Sequence, residues 1–332
     1  MLVKNATRKS SLQKIIFSFF FFLCLLKLFL YTSNDIAIDY ISYFNTDFFH
    51  FIYDYPILIK FIILFLLLLN SISLYFLLKK HKLIDFHNYY VSIFYLIFCF
   101  YFLRVSFIFP LFINFLIIIF ILPSLLTINE KSYQPEHGIV FGIFCGIISL
   151  FYAPFILFFI FAFVIFQLNG LYFWKNYIMP LIGLLILYIY FFSFLYFFDF
   201  NNYSSLFSFY INQFRISVFN NISFNYLQYI IYGCFLLLFL LFSYTLLSKS
   251  SNMNIITRKK YYSLLISSLL SIAFGIFFKE KSHMFSIVFL SLISILGGIS
   301  EQFIKYRIVY NIIILILLIS IILNCCIPNS YA

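Results

Sequence analysis

The chain has 332 residues, 65% of them hydrophobic and 9% charged, with a formal net charge of +11 and a mean hydropathy of +1.08. A soluble core of this length has no use for so much apolar surface, so composition excludes an ordinary globular domain and points to an all-α, polytopic bundle of membrane helices. The positive charge is spread over connecting segments, which argues against a nucleic-acid partner and leaves it to set orientation across a bilayer.

Residues 1–13 (MLVKNATRKSSLQ) read as a polar, basic, cytoplasmic N-terminus. Lys14–Thr32 is the first span, expected to be retained because no small-residue cleavage site follows it. Lys27 inside it is expected to snorkel to the far interface. Residues 33–55 form an outer acidic loop with Asp35, Asp39, Asp47 and Asp54, no Lys or Arg, and interleaved aromatics that suit a membrane interface. Pro56–Leu78 is the second span, closed by Lys79, Lys80 and Lys82. Asn88–Thr127, about forty apolar residues, is too long for one span and suits a hairpin turning near Arg104–Pro110.

Gly138–Pro154 (GIVFGIFCGIISLFYAP) holds three of the nine glycines, Gly138, Gly142 and Gly146. Their spacing of four puts them on one helix face, where a neighbouring backbone can come close. That helix is expected to be central. Gly138–Gln167 is either one long helix or two short ones broken at Tyr152-Ala153-Pro154. Charge decides for the break. With it, Asn176–Phe198 becomes an outward span, residues 199–225 an outer interfacial loop, and Tyr226–Leu247 a returning span. Tyr261–Phe278, His283–Ser300 and Ile308–Cys326 then complete about eleven spans in a single domain, 1–332. On this map Lys4, Arg8, Lys9, Lys14, Lys79, Lys80, Lys82, Lys131, Lys175, Lys249, Arg258, Lys259, Lys260, Lys305 and Arg307 lie inside, fifteen of the 21 basic residues.

Six cysteines lie in apolar runs without CxxC spacing and read as small membrane-buried residues. The map separates His81, His87 and His137 from His50 and His283, so no metal centre of converging histidines is expected. No P-loop, dinucleotide fingerprint, GxSxG or HExxH is present. What remains is outward. Asp35 and Asp39 share a face if their segment is helical, and a carboxylate there suits a general base or a divalent-metal ligand. Arg104, Arg215, Lys279 and His283 are the scarce outer cations, suited to a lipid phosphate.

The block GIFCGIISLFYAPFILFFIFAFVIFQLNGLYFWKNYIMPLIGLLILYIYFF resembles a family of uncharacterised multi-pass Bacteroidetes proteins, a domain of unknown function. RKKYYSLLISSLLSIAFGIFFKEKSHMFSIVFLSLISILGGISE is similar to the later part of that family. Some members carry a carotenoid-oxygenase label, against which the separated histidines speak. More distantly, a span, an acidic outer loop and short helical hairpins look like polytopic glycosyltransferases that use polyprenyl-phosphate sugars. That likeness implies Asp35 or Asp39 as base, with Arg104 or Arg215 near the lipid phosphate. Two functions stand at this point, both in the bacterial inner membrane among membrane lipids. One is a non-catalytic subunit or scaffold that binds other envelope proteins, with no cofactor. The other is the glycosyltransferase-like enzyme, with a divalent metal as its conceivable cofactor.

Overall fold

The computed structural model describes residues 2–30, 56–85, 88–102, 108–128, 134–198, 226–251, 253–277, 282–303 and 312–320. Every regular element among them is helical: α1 (Leu2–Leu30), α2 (Pro56–Lys80), α3 (Tyr90–Phe102), α4 (Ile108–Leu116), α5 (Leu122–Thr127), α6 (Glu136–Phe151), α7 (Phe158–Leu168), α8 (Trp174–Phe198), α9 (Tyr226–Ser250), α10 (Ile255–Phe277) and α11 (Ser282–Ser300). A π-helical turn, Ile117–Ile121, joins α4 to α5, and a 3₁₀ turn, Ala153–Leu157, precedes α7. Residues 312–320 are also helical. Five stretches are long and apolar enough to cross a membrane: Ser11–Phe29, Ile57–Lys80, Ile108–Thr127, Trp174–Phe194 and Ile230–Ser250. Tyr90–Phe100, Glu136–Phe151, Ala153–Leu168 and Met284–Ser300 are shorter apolar helices.

Proline and glycine set the interruptions. Pro56 opens α2, where its missing N–H has no partner to lose. Pro110 sits in the first turn of α4 for the same reason, so it belongs to the helix and not to the turn expected between Arg104 and Pro110. The π turn falls just before Pro123, whose ring would otherwise meet a carbonyl one turn back. At the N-terminus the helix begins at Leu2 and runs through residues expected to lie outside the span. That stretch holds no Pro or Gly to stop it.

The centre of the bundle is α11 and not the glycine helix α6. Every residue from Leu290 to Ser300 is buried, whereas α6 is only half covered. Ser291, Ser294, Gly297 and Gly298 are the reason. Each serine hydroxyl is satisfied by its own helix, on Val288 O at 2.7 Å and on Leu290 O, and small side chains let α3, α9 and α10 close in.

Contacts fix the direction of each helix. The Tyr89 N–H donates to Gln13 Oε1 (3.1 Å), and Lys27 Nζ donates to the Phe100 carbonyl, so α1 and α3 run parallel. Ser92 Oγ donates to Ser71 O (2.7 Å) and Tyr75 stacks on Tyr89 at 4.9 Å, which makes α2 antiparallel to both. Phe94 meets Phe242 and Phe98 meets Phe235, so α9 also opposes α3. Asn88 Nδ2 donates to Gly298 O (3.0 Å), while Phe285 packs on Tyr152 and Phe155 at the other end of α11.

Candidate functional site

The glycine face of α6 is filled from within the chain. A Cβ on Gly138 would lie 2.9 Å from Pro180 Cδ, one on Gly142 2.0 Å from Pro180 O, and one on Gly146 2.7 Å from Leu187 Cδ2. The reciprocal position on α8 is Gly183, whose Cβ would lie 2.2 Å from Ile139 O. Beyond the glycines, Ser149 Oγ and Tyr188 Oη form a hydrogen bond of 2.8 Å. From Gly138–Pro180 through Gly146–Leu187 to Ser149–Tyr188, both numbers rise together, so α6 and α8 are parallel.

Two parallel neighbours require the chain to return between them. Tyr152 is extended (φ −149°, ψ 104°) and breaks the helix; the 3₁₀ turn starts at Ala153 with Pro154 second, and α7 follows. The outward leg of 16 residues spans about 24 Å, and the 5-residue 3₁₀ turn with the 11 residues of α7 spans about 26 Å. The lengths match, and Phe166 and Phe163 reach Tyr177 near the start of α8. Helix α10 runs antiparallel to this return: Lys259 Nζ reaches Asn169 O at 3.4 Å, and Phe274 stacks on Phe161 at 5.8 Å.

These directions sort the described charges into two ends. Lys14, Lys79, Lys80, Lys82, Lys175, Lys249, Arg258, Lys259 and Lys260 sit at the end that holds Gln13, Asn88 and Asn169, together with Asp85, Glu136 and Glu301. Lys27 and Lys60 are at the opposite end. Lys27 donates to a C-terminal carbonyl of α3 and lies over the Phe100 ring at 4.8 Å, where the helix end carries partial negative charge.

Asp35, Asp39, Arg104, Arg215, Lys279 and the side chain of His283 lie outside the described residues. The helix ends that flank their segments are described. Leu30 and Pro56, Phe102 and Ile108, Phe198 and Tyr226, Phe277 and Ser282 all lie at the end opposite the basic one. Among the described residues no group of His, Cys, Asp and Glu could hold a metal ion. His81 and His137 are both at the basic end. Cys24, Cys99, Cys145 and Cys234 are buried and free.

Comparison with protein-family models, curated proteins and solved structures found no match.

Sequence reasoning missed a polar pair in the core. Asn114 Nδ2 donates to Tyr95 Oη (3.1 Å) between α4 and α3, and Asn70 Nδ2 donates to Leu111 O (3.0 Å) from α2. All three side chains are fully buried. The signal was present as single asparagines in the middle of apolar runs, where polar side chains bind helix to helix. Tyr95→Phe strands the Asn114 amide and is expected to cost about 1 kcal/mol, read as a lower thermal midpoint in detergent. Adding Asn114→Leu removes the stranded donor and is expected to recover most of that loss.

Proposed function

We propose that the chain is a multi-pass protein of the bacterial cytoplasmic membrane with its basic end and N-terminus in the cytoplasm. Its opposite end acts on a polyprenyl-phosphate-linked sugar at the outer face. The observation that carries this is the segregation of ends. Nine of the eleven described basic side chains gather at one, and the helix termini flanking every segment with a candidate carboxylate or outer cation gather at the other. Cations concentrate on the cytoplasmic side, which supports the orientation. At the outer face, Asp35 or Asp39 takes the proton from an acceptor hydroxyl. The acceptor oxygen bonds the sugar's anomeric carbon, and the lipid phosphate leaves with the bonding electrons. Arg104, Arg215, Lys279 and His283 are the groups available to hold that phosphate.

Asp35→Ala and Asp39→Ala test this reading. The variant lacking the base is expected to lose about 10²–10⁴-fold in transfer, seen as accumulated lipid-linked sugar and depleted envelope glycan. Unchanged products in a strain that depends on the protein would leave a non-catalytic envelope subunit. That second reading is favoured by α8, which packs mainly through α6 and turns Leu185, Ile189, Tyr190, Phe194 and Phe197 outward. The glycine face gives it no support, because α8 itself occupies that face.

A further inference from the structure

The turn between α7 and α8 is built more firmly than a connection needs. Helix α7 ends with Gly170 in the left-handed region (φ 72°). The Gly170 N–H donates to Gln167 O (3.1 Å) and the Leu171 N–H to Phe166 O (3.0 Å), which closes the helix and satisfies its last carbonyls. Asn176, buried at the start of α8, reaches back: its N–H donates to Phe173 O (2.9 Å) and its Nδ2 to Leu171 O (3.2 Å). Lys259 clamps the other side through Asn169 O at 3.4 Å.

What this fixed turn presents is aromatic. Tyr172, Phe173 and Trp174 are 73%, 76% and 65% exposed, and exposed Lys175 follows them. They sit at the basic end, in the turn whose Asn169 carbonyl Lys259 reaches. They also form the rim of an outward apolar strip that runs on along α8 through Ile178 and Leu181. Tyr and Trp rings with lysines beside them match the headgroup level of a bilayer, where a ring meets the glycerol region and an ammonium meets phosphate. The positive surroundings favour an anionic headgroup over a neutral one.

We propose that this turn, Leu171–Lys175 with Lys259, is a docking site for acidic phospholipid headgroups in the leaflet at the basic end. It rests on the membrane reading proposed above. Trp174 is the only tryptophan in the chain, so its emission reports on the turn alone.

The test uses the full chain in nanodiscs of phosphatidylcholine with increasing phosphatidylglycerol. Trp174 emission is expected to shift to the blue and to lose quenching by aqueous acrylamide, which is neutral and so indifferent to the surface charge, as phosphatidylglycerol rises. Lys175→Gln and Lys259→Gln are each expected to raise the phosphatidylglycerol fraction at half-effect roughly fivefold. A water-like, acrylamide-quenched Trp174 at every composition would overturn the proposal. So would shielding independent of phosphatidylglycerol, or shielding that follows a co-purifying protein instead of lipid. Carbonate extraction of cell membranes keeps the two levels apart. A chain that stays in the pellet while Trp174 fails the test loses the headgroup site but keeps the membrane reading; a chain released to the supernatant loses both.

Discussion

Gly142→Ala is expected to break the α6–α8 pair. The new methyl carbon would lie 2.0 Å from the Pro180 carbonyl oxygen and 2.8 Å from its carbon, where carbon contacts normally sit near 3.5–4.0 Å. The obstacle is backbone, so no rotamer change relieves it, and one helix must move away from the other. Separation also loosens the contacts at Gly138 and Gly146 and the Ser149–Tyr188 hydrogen bond. The cost is expected at about 3 kcal/mol or more, the upper range for overpacked cores. Gly183→Ala meets Ile139 O at 2.2 Å and is expected to do the same. Gly233→Ala is the control: nothing lies within 4 Å of its Cβ, and alanine is the better helix former, so stability should hold or rise by up to about 1 kcal/mol. Thermal unfolding of purified protein in detergent, with size-exclusion profiles, reads all three.

Gly298→Ala tests a different kind of obstacle. Its Cβ would lie 2.0 Å from Val91 Cγ2 and 3.0 Å from Val91 Cα, at the crossing of α11 and α3. Valine in a helix is stiff at χ1, so its methyl cannot swing clear. A loss of about 1–3 kcal/mol is expected. Here the chief obstacle is a side chain, and Val91→Ala removes it. The double variant should be more stable than the sum of the two single changes predicts, a coupling that thermal or denaturant unfolding measures. No side-chain deletion offers Gly142 the same rescue, because its obstacle is a carbonyl.

Helix class was legible in the sequence from its apolar runs; the break at Tyr152-Ala153-Pro154 was legible because a proline permits it and the basic cluster at Lys249–Lys260 requires it. The identity of the central helix was not. Gly138, Gly142 and Gly146 signal a close approach, but a glycine stripe does not say which helix enters it or whether the pair sits at the middle. Gly183, the reciprocal glycine, lies in the middle of α8 with no motif around it. Helix α11 is central through Ser291, Ser294, Gly297 and Gly298, small residues three and four apart on one helix face but mixed in type, so no glycine stripe marks them. The start of α1 at Leu2 was hidden because polarity argues against membrane burial and says nothing against helix. Of the candidate site, sequence supplied Asp35, Asp39 and the outer cations as types; the helix directions add that the flanks of their segments share one end.

The fold-back in α6–α7 decides which side every later segment occupies, and the connection between α9 and α10 is where it can be read. An epitope tag placed between Ser250 and Ile255, in intact cells, should be shielded from a membrane-impermeant probe, as a tag at the N-terminus should be. A tag there that the probe reaches from outside, with the N-terminal tag still shielded, would contradict the parallel pairing of α6 with α8 and the two-ended charge map built on it.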